Sequence, residues 1–174
     1  MKGPLATQAL HPRVVQGVRR HRRVDVLTDR HAVYRSLREY FPGTSRRYAG
    51  IFLDVLFDYY LTCYWSHFCR IPRDEFIEGV YRTLSDYRDI LPADFAPRAS
   101  AWVAADWLRV YETLEGVEAV LQRVSLRARG ELPVRQAMAV IRGSDSALQE
   151  GFLLVFAAVQ DCVNGRNPFL PPVP

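Results

Sequence analysis

The sequence predicts an all-α fold, a single-domain helical bundle, and three observations carry that prediction. Apolar residues recur at helical spacing over long stretches. Strict period-two alternation is nearly absent. Proline and glycine fall between the periodic stretches, and no Asn-Gly turn joins two β-branched runs. With 174 residues, 49% hydrophobic and 24% charged, the chain can bury a core and has an ordinary globular composition. The expected organisation is one helical domain over residues 1–163 followed by a proline-rich tail, "NGRNPFLPPVP" at 164–174, extended or disordered.

The elements follow in order. "HPRVVQGVRRHRRVDVLTD" reads as a first helix with Pro12 in its opening turn, where a missing N–H costs nothing. "DRHAVYRSLREYF" reads as a second, capped by Asp29, and "FPGTS" ends it. A third runs over about 46–68. "IPRDEFIEGVYRTLSDYRDI" gives a fourth with Pro72 near its start, and "LPADFAP" breaks the chain. "RASAWVAADWLRVYETLEGVEAVLQRVSLRAR" gives a fifth, bent or divided at Gly116. The last spans roughly 134–163 with an interruption at "RGSD".

The dense apolar run "FLLVFAAV" at 152–159 is read as a core helix, too short to span a bilayer. The N-terminal residues lack the apolar stretch of a secretory signal. A cytoplasmic protein with no membrane partner is expected. Cys63, Cys69 and Cys162 have neither zinc-site spacing nor an even count, so buried, reduced thiols are expected.

The net charge is +4 and nearly all the positive charge is arginine, Lys2 being the one lysine. Such a surface attracts an anionic partner: nucleic acid, a phosphate ester or an acidic protein. No recognised nucleic-acid motif is present, so nucleic acid is the least favoured of the three.

Function is most legible in "GIFLDVLFDYYLTCYW", an apolar and aromatic stretch that holds two acids, Asp54 and Asp58. On a helix they share a face, about 40° apart. A helix apolar nearly all round is expected to be central. Two ionised carboxylates there would repel each other and lose hydration. In the first helix His21 and Asp25 share a face with Val14 and Val18, the stripe expected to meet the core. Asp29 follows one turn on, near the stripe's edge. Paired ligands one turn apart on facing helices are how bundles build metal sites. One imidazole with several carboxylates suits Mn²⁺, Mg²⁺ or Fe²⁺. A buried network in which arginines neutralise the acids is the competing account, and Asp29 also reads as a helix cap.

These residues resemble the bacterial acyl carrier protein phosphodiesterases. The resemblance is carried by "VVQGVRRHRRVDVLTD" (14–29), "RRYAGIFLDVLFDYYL" (46–61) and, more weakly, "DWLRVYETLEGVEAVLQRVSLR" (106–127). A His-x3-Asp-x3-Asp helix followed by an "LDVxxD" helix is a specific pattern. The resemblance implies an HD-domain-like, all-helical metal phosphohydrolase. It implies Mn²⁺-dependent hydrolysis of the phosphodiester between 4′-phosphopantetheine and a serine of holo-acyl carrier protein. It makes His21 and Asp25 metal ligands, Asp54 and Asp58 ligands or acids beside the ligands, and Asp29 a residue that orients water or His21. Two departures stand out. Members of the family usually begin with a further helix and "MKGP" resembles the end of that region, so either the sequence starts inside a longer chain or that element is absent. Tyr59 occupies a position where the family often has histidine.

An acidic carrier protein fits a basic rim made of Arg19, Arg20, Arg22 and Arg23 beside the first pair and Arg46 and Arg47 at the start of the third helix. Trp102, Trp107 and Tyr111 form an aromatic stripe that reads first as core and second as a wall for the pantetheine arm. Other readings are a nucleic-acid-binding module, a carrier-protein-binding bundle without turnover, and a nucleotide phosphohydrolase.

Overall fold

The structure, a computed structural model, describes residues 12–91, 95–128 and 131–164. No β-strand occurs among them. The order is α1 (Pro12–Arg30), α2 (Ala32–Leu37), α3 (Ala49–Cys63), α4 (Trp65–Phe68), α5 (Arg73–Asp86), α6 (Ala96–Ala104), α7 (Leu114–Arg127), α8 (Val134–Gly143) and α9 (Asp145–Val163). Short 3₁₀ segments lie at Arg38–Tyr40, Gly43–Tyr48, Arg88–Ile90 and Trp107–Glu112. The helices gather into two compact units, one of residues up to Phe41 with those from Gly143 onward, the other Pro42–Arg142.

In the first unit α1 and α2 both pack on α9, and α1 touches α2. Tyr34, Leu37, Phe41, Leu148, Phe152 and Val155 are its large buried side chains. Gly151 lets α9 approach α2 closely: a Cβ there would lie 2.6 Å from Leu37 Cδ1. α9 is 19 residues long, more than twice the run at 152–159 read as too short to span a bilayer, and by length and composition alone it is apolar enough to cross one. Within its unit it is the helix on which α1 and α2 rest.

α1 corrects another expectation. None of its residues is buried, and Val14 is 41% exposed. The side with Val15, Arg19, Arg20 and Arg23 lines a groove closed by Cys162 and Val163 of α9. On a helical wheel that side is about 160° from His21 and Asp25. The valines are spread around the circumference, so the wheel alone does not say which weak stripe finds a partner. Asp29 does not cap α2. It ends within α1, the cap position is His31, and the Asp29 carbonyl accepts a hydrogen bond from Arg35 Nε at 3.3 Å.

In the second unit α3 packs on α7 and on the 3₁₀ segment Trp107–Glu112, while α5 packs on α6. The predicted fifth helix is two helices separated by that segment. The break falls at Asp106, whose left-handed φ of 46° an Asp tolerates better than most residues. α7 then begins at Thr113, whose side chain accepts the Gly116 N–H at 3.0 Å, an N-cap of ordinary chemistry. Gly116 therefore marks a close approach within the first turn of α7. A Cβ on it would sit 1.7 Å from the Val110 carbonyl oxygen. The interruption expected at "RGSD" is present, α8 ending at Gly143 and α9 beginning at Asp145. The cysteines divide: Cys162 is buried, Cys69 half-buried and Cys63 exposed, all as free thiols. The tail from 165 onward lies outside the described residues.

Gly116→Ala sets two effects against each other. Helix propensity favours alanine by about 1 kcal/mol, but overpacking against a backbone oxygen costs roughly 1–3 kcal/mol or more. Because a backbone carbonyl cannot rotate away, the second effect should win. The thermal midpoint by circular dichroism is expected to fall by roughly 2–8 °C, whereas an unchanged or raised midpoint would show that the segment is not held against Gly116.

Candidate active site

Asp54 and Asp58 share a face of α3, as their spacing requires, but the face points the other way from the expectation. Ala49, Phe52, Leu53, Val55, Leu56 and Tyr60 are the buried residues of α3. Asp54 and Asp58 lie opposite them and are exposed. The apolar residues that made the helix look central from every side, Ile51 and Leu61, are only half-buried. The pair therefore marks the open edge of an amphipathic helix.

Asp58 nonetheless borders a recess of about 170 Å³. Leu61 and Thr62 of α3 and Trp65 of α4 form one wall, Arg73, Phe76 and Ile77 of α5 another, and Trp107, Leu108 and Tyr111 the third. A carboxylate here keeps accessible surface on one side while protein fills most of the space around it. Loss of hydration, then repulsion from Asp54, raise its pKa from 3.8 to about 6, against a smaller lowering by a hydrogen bond from Tyr111. The Tyr111 phenol is pushed upward in turn by burial and by the Asp58 charge.

The aromatic stripe is thus partly a site element. Trp107 and Tyr111 meet edge-to-face with centroids 6.2 Å apart, and Tyr111 is buried. Trp102 lies apart on α6, 36% exposed and edge-on to Phe95. The 3₁₀ segment that carries Trp107 and Tyr111 is tied down along its length. Arg73 donates to the Leu108 carbonyl at 2.6 Å and pairs with Glu112 at 2.5 Å. The Leu108 N–H donates to the Tyr81 hydroxyl at 2.7 Å. Arg109 pairs with Asp74 of α5 and, at 3.0 Å, with Asp106. Trp65, on the other wall, donates its indole N–H to the Ile71 carbonyl at 2.8 Å and packs against Phe76.

In the other unit, His21 and Asp25 do come together, Nε2 to Oδ2 at 3.5 Å, as an i,i+4 pair. Their side chains are 72% and 39% exposed, so the core-facing placement expected of them does not hold. Asp29 is exposed near the end of the same helix. Arg19, Arg20, Arg22, Arg46 and Arg47 are exposed and Arg23 half-buried. Within neither unit do three or more His, Cys, Asp or Glu among the described residues gather closely enough to hold a metal ion. Each unit offers a pair of donors. The carboxylates of Asp54 and Asp58 are hard oxygen donors, the type a hard divalent cation would take.

The decisive comparison is with protein families. The family model described as acyl carrier protein phosphodiesterase matches residues 1–159. The chain belongs to the acyl carrier protein phosphodiesterase family. Among similar curated proteins, acyl carrier protein phosphodiesterases of Yersinia pestis and Yersinia enterocolitica are 30% and 31% identical over 144 residues, 81% of this chain and 70% of theirs. One from Escherichia coli is 34% identical over 125 residues, 69% of this chain and 63% of its own length. No solved structure matches the chain. For this phosphodiesterase-family chain, the second of the two readings offered for Trp107 and Tyr111, a wall rather than core alone, matches their place in the recess, whereas Arg73, one arginine among many, is a lining residue that reading the sequence missed.

The Asp58 environment predicts a pH signature. Its folded pKa is raised above the unfolded value, so between about pH 4 and pH 6 the folded chain holds a proton that the unfolded chain releases. Raising the pH through that window withdraws stability from the folded state. Asp58→Asn cannot ionise, so its thermal midpoint should rise relative to the parent between pH 4 and pH 7. Parallel melting curves of the two proteins across that range test this, and a difference that stays constant with pH contradicts it.

Proposed function

We propose that this chain hydrolyses the phosphodiester joining 4′-phosphopantetheine to a serine of holo-acyl carrier protein, releasing the phosphopantetheine and leaving apo-acyl carrier protein. The observation that supports the reading is the Asp54 and Asp58 pair. In a chain of this family, it sits on the open side of α3 with Asp58 at the lip of an aromatic recess. In the reaction, water oxygen adds to phosphorus, the bond from phosphorus to the serine oxygen breaks, and the serine oxygen takes up a proton.

The donors offered to a divalent cation, Mn²⁺ first and Mg²⁺ or Fe²⁺ as alternatives, are Asp54 and Asp58, with His21 and Asp25 as the other pair. Such a cation supplies Lewis acidity at a phosphoryl oxygen and makes water more acidic. Asp29, a carboxylate with no assigned ligand role, is the proposed acceptor of the water proton. The recess, lined by Trp65, Phe76 and Trp107, suits the uncharged arm of the phosphopantetheine more than a second charged group.

Docking of the acidic carrier protein is assigned to arginine. In the first unit Arg13, Arg19, Arg20 and Arg23 line the groove between α1 and α9, of about 760 Å³, with Val24 and Cys162 in its wall. Arg22 is exposed on the same helix outside the groove, and Arg46 and Arg47 are exposed in the second unit. Arg47 lies over the Tyr48 ring, 5.5 Å from its centroid, an orientation that keeps a cation presented at the surface.

Mass spectrometry of holo-acyl carrier protein after incubation with the chain and Mn²⁺ should show loss of the phosphopantetheine mass, and a chelator should prevent it. His21→Ala and Asp58→Ala should each slow release by about 10²-fold or more. Full activity in both variants removes the assigned roles. Reversing the charge of Arg19, Arg20 and Arg23 together should slow association with the carrier and flatten its salt dependence. Unchanged association in that variant would place docking elsewhere.

A further inference from the structure

We propose that α5 pairs antiparallel with α5 of a second copy of this chain, centred on Gly79. The proposal goes beyond the reaction assigned above and does not depend on it.

Ile77 is the one buried residue of α5. A second apolar row runs along the outer side of the helix. Ile71 just before it, Phe76, Val80 and Leu84 on it, and Glu75, Gly79 and Thr83 beside them line a shallow trough of about 450 Å³. Ile71 is 49% exposed, Phe76 42%, and Tyr87, at the far end of the row, 55%. Phe76 also bounds the recess beside Asp58, so the row reaches the lip of the site. These positions recur at three- and four-residue intervals, the pattern of a helix face that meets another helix. Gly79, at the middle of α5, leaves a notch in the ridge of Glu75, Gly79 and Thr83: a Cβ on it would meet no atom within 4 Å. A notch at mid-face lets a second helix approach closely.

What selects α5 itself as that helix is the charge beside the row. Glu75 and Arg82 are seven positions apart and about 20° apart on the helical wheel, so both flank the row on the same side. Two turns separate them, too far to pair within one helix. Both are exposed, and the side chain of neither has a hydrogen bond or ion pair among the described residues. A two-fold axis near Gly79 reverses the order of the second helix. Glu75 of each copy then meets the partner's Arg82, and Ile71 meets the partner's Tyr87, each contact made twice as an isologous interface requires. Glu78 points farther from the row and Asp86 falls opposite the partner's Pro72, so neither acid faces a like charge. An unrelated helix would need this arrangement by chance, whereas the same helix reversed has it by symmetry.

Sedimentation velocity over a concentration series tests the pairing. One helix face is a small interface, so a weak dimer, half-formed at micromolar concentration, is expected of the parent. Glu75→Arg and Arg82→Glu should each raise the dissociation constant about tenfold or more, because each sets like charges together twice. The double variant, Glu75→Arg with Arg82→Glu, should return it to within about threefold of the parent, because both pairs re-form with their signs exchanged. Gly79→Leu should fill the notch and remove association. Its thermal midpoint at low concentration should be no lower than the parent's, because the new side chain enters open space and leucine favours helix. A parent that stays monomeric at every concentration overturns the proposal and leaves the row to a different protein or to an acyl chain. A dimer that none of these substitutions weakens also overturns it, as does a double variant no tighter than the single ones.

Discussion

The contact between the Val110 carbonyl and the first turn of α7 is possible only because residue 116 has no side chain. It draws the Trp107–Glu112 segment down onto α7, and through α7 onto α3. From there the consequences follow in sequence. Tyr111 is buried, and with Asp58 it lines a recess left between α3, α5 and the segment. Without the close approach, the ties from Arg73, Tyr81 and Asp74 would have to hold the aromatic wall beside the acid alone. The glycine thus belongs to the site as much as to the fold, although it touches no substrate.

The Asp58 carboxylate shows how such a recess acquires chemistry. A carboxylate on a convex helix surface would be an ordinary acid. Here the same surface position is recessed by aromatic side chains that displace water, and a second carboxylate stands one turn away. Both push toward the protonated form, and the Tyr111 hydrogen bond opposes them without prevailing. The result is an acid whose pKa is raised to about 6. The two acids are therefore not a burden carried in the core, which was the difficulty the sequence posed. They lie on the wet side of a helix whose dry side is complete without them.

The first unit works by different means. α1 is poor in apolar residues and rich in arginine, and it adheres to α9 along one edge without burying any residue fully. Such a helix exposes charge on most of its circumference. His21 and Asp25 sit on one side and the groove arginines on nearly the opposite one. One helix can then carry a His–Asp pair and a row of groove arginines without either crowding the other.

What the sequence determined by itself was everything that depends on periodicity and local chemistry. The helical class, the breaks at "LPADFAP" and "RGSD", the pairing of His21 with Asp25 and of Asp54 with Asp58 on common faces, and the family resemblance were all legible, because each is fixed by spacing along one chain. Which face of each helix is buried was not. α3 is apolar around much of its circumference and α1 has valines on several sides, so the wheel ranks no direction until a neighbour is chosen. Nor could spacing reveal Arg73 or choose between the two readings of Tyr111, since both places arise from contacts between segments distant in sequence. Even the break at Asp106 was read as continuous helix, because propensity there is helical and the turn is imposed by packing. Only the tertiary structure decided these points, since burial, desolvation and hydrogen-bond direction are properties of the neighbours a residue meets.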